Sequence, residues 1–274
     1  MPELPEVQTV VNDLQILTGD IIIGFWTDFE KGLKSKILGE KIVGKKILNI
    51  TRLSKNVIIA LSDKTFILIH LKMTGKLLTT DNKQNITKTA QNKHLHHVFY
   101  FKKNGNLEFH DIRKFGTIEL VDSAKILEIK KTKGIDPFNK NFTLNNFTKI
   151  IKIKKNKNIK SFLMDQSLIS GIGNIYASEI PYDAKINPLR KIASLTKNET
   201  FSLYKSILKI LTKAIELRGT SISDYRDAKG EKGSFQHHLK VYGKAGKKCS
   251  KCDTIIIKNI VEQRSTFHCP SCQN

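Results

Sequence analysis

No apolar stretch in this 274-residue chain approaches the ~20 residues that a membrane-spanning helix needs; runs such as Ile21–Ile23 are strand-sized. At the start, Pro2, Glu3, Pro5 and Glu6 stand where a secretory leader would carry positive charge and then an apolar core. A soluble, cytoplasmic protein is therefore expected. Cysteine is missing until the last 26 residues, which hold all four: Cys249, Cys252, Cys269 and Cys272. Acidic residues are scarce, 25 Asp+Glu against 47 Lys+Arg, leaving a net charge of +22 at pH 7. An excess of that size concerns association rather than fold. It favours nucleic acid as partner, with an anionic membrane surface second and a merely Lys-rich solvated surface as the plain alternative. No internal repeat and no heptad pattern is present, so a monomer is expected.

Length suggests two domains with a small third module. Val7, Val10, Val11 and Leu14 fall on one helical face, with Pro5 in the first turn and Gly19 as a stop. Six strand-like runs follow: 46–50, 57–61, 66–71, 97–101, 107–110 and 117–120. Residues 79–93 read as a polar, mobile loop. Residues 2–133 are thus expected to form a two-layer β-sandwich. From Gly134 the pattern turns helical, most clearly over Lys197–Arg218, where Thr196 and Glu199 form a capping box and Gly219 a stop. A helical domain is expected over 134–235, ending in a flexible polar loop at 220–235, and a last module over 236–274.

The cysteine spacing, C-x2-C-x16-C-x2-C, suits two knuckles presenting four thiolates to one Zn²⁺. Nothing marks the chain for secretion, which disfavours disulfides. Four sulfur ligands leave no open coordination position, so the metal is expected to be structural. Arg264, at a hairpin tip in this module, can fork onto a phosphate or simply be solvated.

At the other end, removal of Met1 would expose Pro2 as a secondary amine. An α-amino group with a pKa near 7.7–8.0 is partly neutral at pH 7 and can attack a sugar C1′ to give an iminium. Glu3 and Glu6 stand beside it as proton donor and acceptor, although Pro and Glu are also ordinary first-turn residues. Gly171-Ile172-Gly173-Asn174 reads as a phosphate seat of exposed amides before a helix start. It follows a run carrying Lys149, Lys152, Lys154, Lys155, Lys157 and Lys160 without an acid, which reads as a phosphate-facing surface. Met73 and Phe115 lie in Gly-flanked turns, where apolar side chains can wedge into a base stack or pack locally. His94, His96 and His97 lack a metal-ligand spacing, so phosphate contact or packing is expected of them.

Taken together, the opening PELPEV, HLKMTG, DIRKFG, LMDQSLISGIGNIYASE and QRSTFHCPSC resemble, in order and over essentially the whole chain, formamidopyrimidine-DNA glycosylase. The resemblance implies an α+β protein: an N-terminal β-sandwich domain, a helix–two-turns–helix domain and a C-terminal zinc-finger β-hairpin. It implies a bifunctional glycosylase and abasic-site lyase of bacterial, nucleoid-associated type, excising oxidised purines from double-stranded DNA in base excision repair. By the same resemblance Pro2 is the Schiff-base nucleophile and Glu3 the assisting acid. Lys55 is the proton donor in β-elimination, and Arg264 serves phosphate binding and δ-elimination. His94, Arg113, Lys155, Lys160 and Asn174 contact DNA. Met73, Arg113 and Phe115 fill the void left by the extruded base, and one structural Zn²⁺ sits on the four cysteines. Two departures from the family pattern are Lys114 in place of a second Arg and Thr74 in place of Ser. The segment 220–233, which relatives use to cover the extruded base, has also diverged. An oxidised-pyrimidine glycosylase of the endonuclease VIII type and a non-catalytic DNA-binding zinc-ribbon protein are the alternatives.

Overall fold

The computed structural model describes residues 1–35, 38–81 and 93–274. Most of the expected mobile loop, residues 82–92, lies outside the described residues. The described chain groups into two compact units: Met1–Lys130 with Leu217–Gln236, and Lys131–Glu216 with His237–Asn274.

In the first unit, helix α1 (Leu4–Asp13) opens the chain and continues as a 3-10 turn over Leu14–Leu17. Its expected apolar face is real: Val7, Val10, Val11 and Leu14 are all buried. Eight strands follow: β1 (Ile22–Thr27), β2 (Ile47–Leu53), β3 (Asn56–Leu61), β4 (Phe66–His70), β5 (Gly75–Thr80), β6 (Leu95–Phe101), β7 (Asn106–Asp111) and β8 (Thr117–Val121). A short helix α2 (Leu38–Ile42) stands between β1 and β2. The strands form two antiparallel four-stranded sheets, ordered β1-β6-β7-β5 and β2-β3-β4-β8. Residues such as Ile59, Ile67 and Ile69 from one sheet and Leu77, Phe99 and Phe109 from the other share one core with α1. Fully burying an aliphatic side chain contributes about 1.5–3 kcal/mol, so a core of this kind holds the unit together.

Two corners carry the chain from one sheet to the other: Leu71–Gly75 between β4 and β5, and Asp111–Gly116 between β7 and β8. At Gly75 an added Cβ would lie 2.3 Å from the Leu71 carbonyl oxygen, and at Gly116 an added Cβ would lie 2.3 Å from the Phe109 ring. Both corners turn through a left-handed lysine, Lys72 (φ 53°) and Lys114 (φ 56°).

The stretch 220–235, expected as a flexible loop at the edge of the helical domain, lies in a segment, 217–236, that groups with the first unit and is densely bonded. Thr220 N donates to Glu6 Oε1 at 2.8 Å and Tyr225 Oη to the Glu6 carbonyl at 3.3 Å. Arg218 pairs with Asp13 of α1 and with fully buried Asp227. Thr79 N of β5 donates to the Ala228 carbonyl at 2.8 Å. Buried Asp227 and half-buried Ser221 satisfy backbone groups of the segment, while Ser223, Lys229, Glu231, Lys232 and Ser234 face water.

Helix α3 (Ser123–Thr132) closes the first unit, where Ile126 packs on Ile58 and Val121; the second unit holds α4 (Leu144–Ile153), α5 (Ile159–Met164), α6 (Tyr176–Asp183), α7 (Lys197–Glu216) and the hairpin β9 (Ile257–Val261)–β10 (Arg264–His268). Thr143 caps α4 and Asn158 caps α5 through their side-chain oxygens. The expected capping box of α7 is present, Thr196 N to Glu199 Oε2 at 2.8 Å and Glu199 N to Thr196 Oγ1 at 3.2 Å. Arg190 donates to the same carboxylate and helps hold the Glu199 pKa down to about 2.

The hairpin module groups with these helices rather than standing alone. Buried Glu179 of α6 accepts the backbone N–H groups of Lys240, Val241 and Tyr242. Buried Gln273 bridges Cys269 N and the Ile186 carbonyl. Among the described residues, no helix is long and apolar enough to cross a membrane.

Candidate functional site

The N-terminus is built around a pair of buried carboxylates. Pro2, buried, precedes Glu3, which is the extended N-cap of α1. Glu3 N–H donates to Glu6 Oε2 at 2.8 Å, while Glu6 Oε1 accepts Thr220 N–H at 2.8 Å. Glu6 thereby fixes the first turn of α1 and the start of the 217–236 segment at once. Gly219 makes this contact possible: with φ 81°, a Cβ there would lie 2.9 Å from the Glu6 carboxylate. Lys55 lies, buried, on the two-residue turn between β2 and β3, where Ser54 has φ 58°. Arg52 Nε donates to Gln8 Oε1 of α1 at 2.9 Å, and its Nη1 to the Ser54 carbonyl at 3.0 Å. The Lys55 turn is thus tied to the helix that begins beside Pro2. Only with Met1 removed would Pro2 present a secondary amine beside the Glu3 and Glu6 carboxylates.

The two corners place Met73, Arg113 and Phe115 together. Arg113 Nη1 lies 3.0 Å from Met73 Sδ, and its guanidinium carbon lies 4.7 Å from the Phe115 ring centroid. Met73 is 45% and Phe115 51% exposed, so this cluster projects from the unit rather than filling its core. His94 is half-buried, and its carbonyl accepts Asp111 N–H at 2.8 Å. His96 and His97 are packing residues. His96 bridges Asp28 Oδ1 and the Asp111 carbonyl, and His97 lies among Phe25, Phe29 and Phe109 with Nδ1 2.9 Å from Thr27 Oγ1. Burial, aided by neighbouring His96, pushes the His97 pKa down to about 4.

In the second unit the Gly171–Asn174 turn stands immediately before α6. Gln166 holds it, accepting Gly171 N–H at 2.8 Å and donating to the Ile172 carbonyl at 2.7 Å. Asn174 is half-buried, and its Oδ1 has no hydrogen-bond partner among the described residues. The lysine run divides. Lys149, Lys152, Lys154 and Lys155 are exposed, but Lys157 pairs with Asp165 at 3.1 Å.

Lys160 departs from its expected phosphate-facing role. It is fully buried, and its Nζ donates to the Asn174 carbonyl and to Ser178 Oγ, each at 2.9 Å. In the first turn of α5 its position points inward with Ile159, Phe162 and Leu163, so the ammonium supports the Asn174 turn from beneath. Glu179, which organises the entry to the hairpin module, was not foreseen as a functional residue. Its signal was the one charged residue in the helical stretch Ile175–Ile180.

Arg264 is exposed at the first position of β10, after a tight turn whose two central residues, Glu262 and Gln263, have positive φ. The four cysteines converge, all Sγ atoms lying within 4.8 Å of one another. Thiolates bound at about 2.3 Å to a tetrahedral Zn²⁺ stand roughly 3.8 Å apart. Here Cys249–Cys272 is 3.9 Å, Cys252–Cys269 3.5 Å and Cys252–Cys272 3.3 Å, so the set fits one metal ion. Hydrogen bonds from the Thr254 side chain and amide hold the Cys252 pKa down to about 6, while its hydrogen bond to Cys252 pushes the Cys272 pKa up to about 12. Tyr182 Oη of α6 lies 3.3 Å from Cys249 Sγ.

Comparison with known proteins matches the formamidopyrimidine-DNA glycosylase N-terminal domain over residues 1–118 and that enzyme's H2TH domain over residues 134–226. The formamidopyrimidine-DNA glycosylase of Carboxydothermus hydrogenoformans is 41% identical, with all of both chains covered. That of Herpetosiphon aurantiacus is 38% identical, again over the whole of both. Among solved structures, the Lactococcus lactis enzyme bound to DNA containing an abasic site superposes with a TM-score of 0.87 at 36% identity, covering 99% of each chain. The wild-type L. lactis enzyme bound to DNA containing N7-benzyl-Fapy-dG gives 0.88 at 36% identity over all of both chains. With full-length identity on this scale and the β domain, helical domain and cysteine cluster all in place, the chain belongs to the formamidopyrimidine-DNA glycosylase family.

Proposed function

We propose that the protein is a bifunctional DNA glycosylase and abasic-site lyase that removes oxidised purines, 8-oxoguanine and formamidopyrimidines, from duplex DNA. With Met1 removed, the Pro2 nitrogen attacks C1′ of the extruded nucleotide and the glycosidic bond to the damaged base breaks. Glu3 supplies the proton that opens the sugar ring, leaving an iminium on Pro2. The iminium acidifies C2′–H; loss of that proton expels the 3′ phosphate, and a second elimination expels the 5′ phosphate. Lys55 donates a proton during the first elimination and holds a phosphate; Arg264 serves the second. Asn174, Lys155, His94 and Arg113 bind the backbone, and Met73, Arg113 and Phe115 occupy the space vacated by the base. Cys249, Cys252, Cys269 and Cys272 hold one Zn²⁺, which, when bound, supplies folding energy to the module presenting Arg264.

The observation that carries this reading is the buried Glu3–Glu6 pair around Pro2, joined through Arg52 and Gln8 to the turn bearing Lys55. The test is borohydride reduction during reaction with duplex DNA containing 8-oxoguanine opposite C. A covalent protein–DNA adduct that disappears in Pro2→Gly supports the reading; no adduct, or an unchanged one in that variant, refutes it. One L. lactis relative was solved with DNA containing an oxidised pyrimidine, so the same trap on thymine glycol decides lesion class. The proposal requires the purine lesion to be trapped faster.

A further inference from the structure

Met73 and Phe115 project from different corners, and neither has packing enough to fix it. Yet Arg113 touches both, so the cluster is assembled in the free protein. Beneath it lies a buried polar joint. The Asp111 side chain is 1% exposed. Its Oδ1 accepts the Thr74 hydroxyl and, at 3.2 Å, Arg113 N–H; its Oδ2 accepts Gly116 N–H at 2.7 Å. The Thr74 hydroxyl in turn accepts Arg113 N–H at 3.0 Å. Thr74 belongs to the Met73 corner, while Asp111, Arg113 and Gly116 belong to the Phe115 corner. His96 steadies the joint from behind by bonding the Asp111 carbonyl at 3.0 Å while bonding Asp28 with its other nitrogen.

We infer that Thr74 and Asp111 are positioning residues for the void-filling cluster: their buried hydrogen bond locks the two corners in register, so that Met73, Arg113 and Phe115 enter the duplex as one preformed wedge. The inference rests on the glycosylase reading above. Ordering three exposed side chains at the moment of base extrusion carries an entropic cost, and a carboxylate bonded to both corners removes much of it in advance. The β5–β7 pairing at Gly75↔Asp111 aligns the strands, but it does not fix the corners that extend beyond them. The hydroxyl is the necessary part of residue 74, because Thr74 Oγ1 both donates to Asp111 and accepts from Arg113.

The test compares two substrates. Duplex DNA containing 8-oxoguanine opposite C requires extrusion and void filling. A single-stranded oligonucleotide with a preformed abasic site requires only the Pro2 chemistry. In Thr74→Val, single-turnover excision from the duplex should fall roughly tenfold, the scale of one lost charge-assisted hydrogen bond. Borohydride trapping of the single-stranded abasic site should keep its wild-type rate. Thr74→Ser should retain duplex activity, and Asp111→Asn should reproduce the split seen in Thr74→Val. Unchanged duplex excision in Thr74→Val overturns the inference. So does an equal loss on both substrates, which would report a general structural defect. A wild-type protein that traps neither substrate would overturn the glycosylase reading itself, and this inference with it.

Discussion

At the scale of single residues, two buried basic groups carry predictions. His97 is held below its ordinary pKa chiefly by burial, at about 4 in the fold against 6.5 unfolded. Between those values the unfolded chain binds a proton that the folded chain does not, so stability is full above pH 6.5 and falls as pH drops toward 4. The whole effect is about 3 kcal/mol at most, at ~1.4 kcal/mol per pKa unit. Thermal midpoints taken from pH 7 to pH 4.5 should therefore fall less steeply in His97→Gln than in the wild type. Lys160 gives the second prediction. Lys160→Met removes the buried donor to the Asn174 carbonyl and the Ser178 hydroxyl and leaves them only their mutual 3.1 Å bond, at a cost of about 1–3 kcal/mol. The melting temperature should drop and DNA affinity should weaken, both measurable on the purified variant.

Lys160 also shows where sequence reasoning misleads. A lysine in a run of lysines reads as surface charge, and only the inward phase of a six-residue helix, too short to show a period, sets it apart. The four cysteines were legible because their convergence depends on spacing along the chain. The Thr74–Asp111 bond joins residues 37 positions apart and has no local signature.

At the scale of elements, regular repeats were legible and irregular ones were not. Six strands and the α7 capping box follow from alternation and cap chemistry. β1 and β5 escaped notice: Gly24 breaks the pattern of the first, and the second ends in Thr79-Thr80 and begins at Gly75. The segment 217–236 was misjudged for a related reason. Polar residues in an aperiodic stretch look solvent-facing, but Asp227, Ser221 and Arg218 here take the place of a hydrogen-bonding ladder. Arg218 is the keystone, neutralising Asp13 and fully buried Asp227. Because its side chain is 35% exposed, solvent screening moderates the loss in Arg218→Gln to roughly 1–3 kcal/mol. Hydrogen exchange over 217–236 should accelerate in that variant while the β2–β4 core keeps its protection. Equal protection in both proteins would show that the pairs do not hold the segment.

At the scale of the whole molecule, charge and metal are the controlling quantities. A net charge of +22 makes binding to DNA a counterion-release process, and log Kd should rise linearly with log salt. The hairpin module has only a small core, Val241, Ile256 and Phe267 with Tyr182 and the cysteines, so the proposed Zn²⁺, when bound, would supply much of its folding energy. A chelator should melt 237–274 while the sheets of the first unit persist, visible as selective loss of amide protection.

The account as a whole depends on the proline nitrogen at the front of α1, and peptide mapping of the borohydride-trapped complex tests it most directly. The account predicts that the sugar remnant is found on the N-terminal peptide, bonded to the nitrogen of Pro2 in a chain lacking Met1. A remnant on a lysine ε-amine, or a trapped chain that retains Met1, would contradict it.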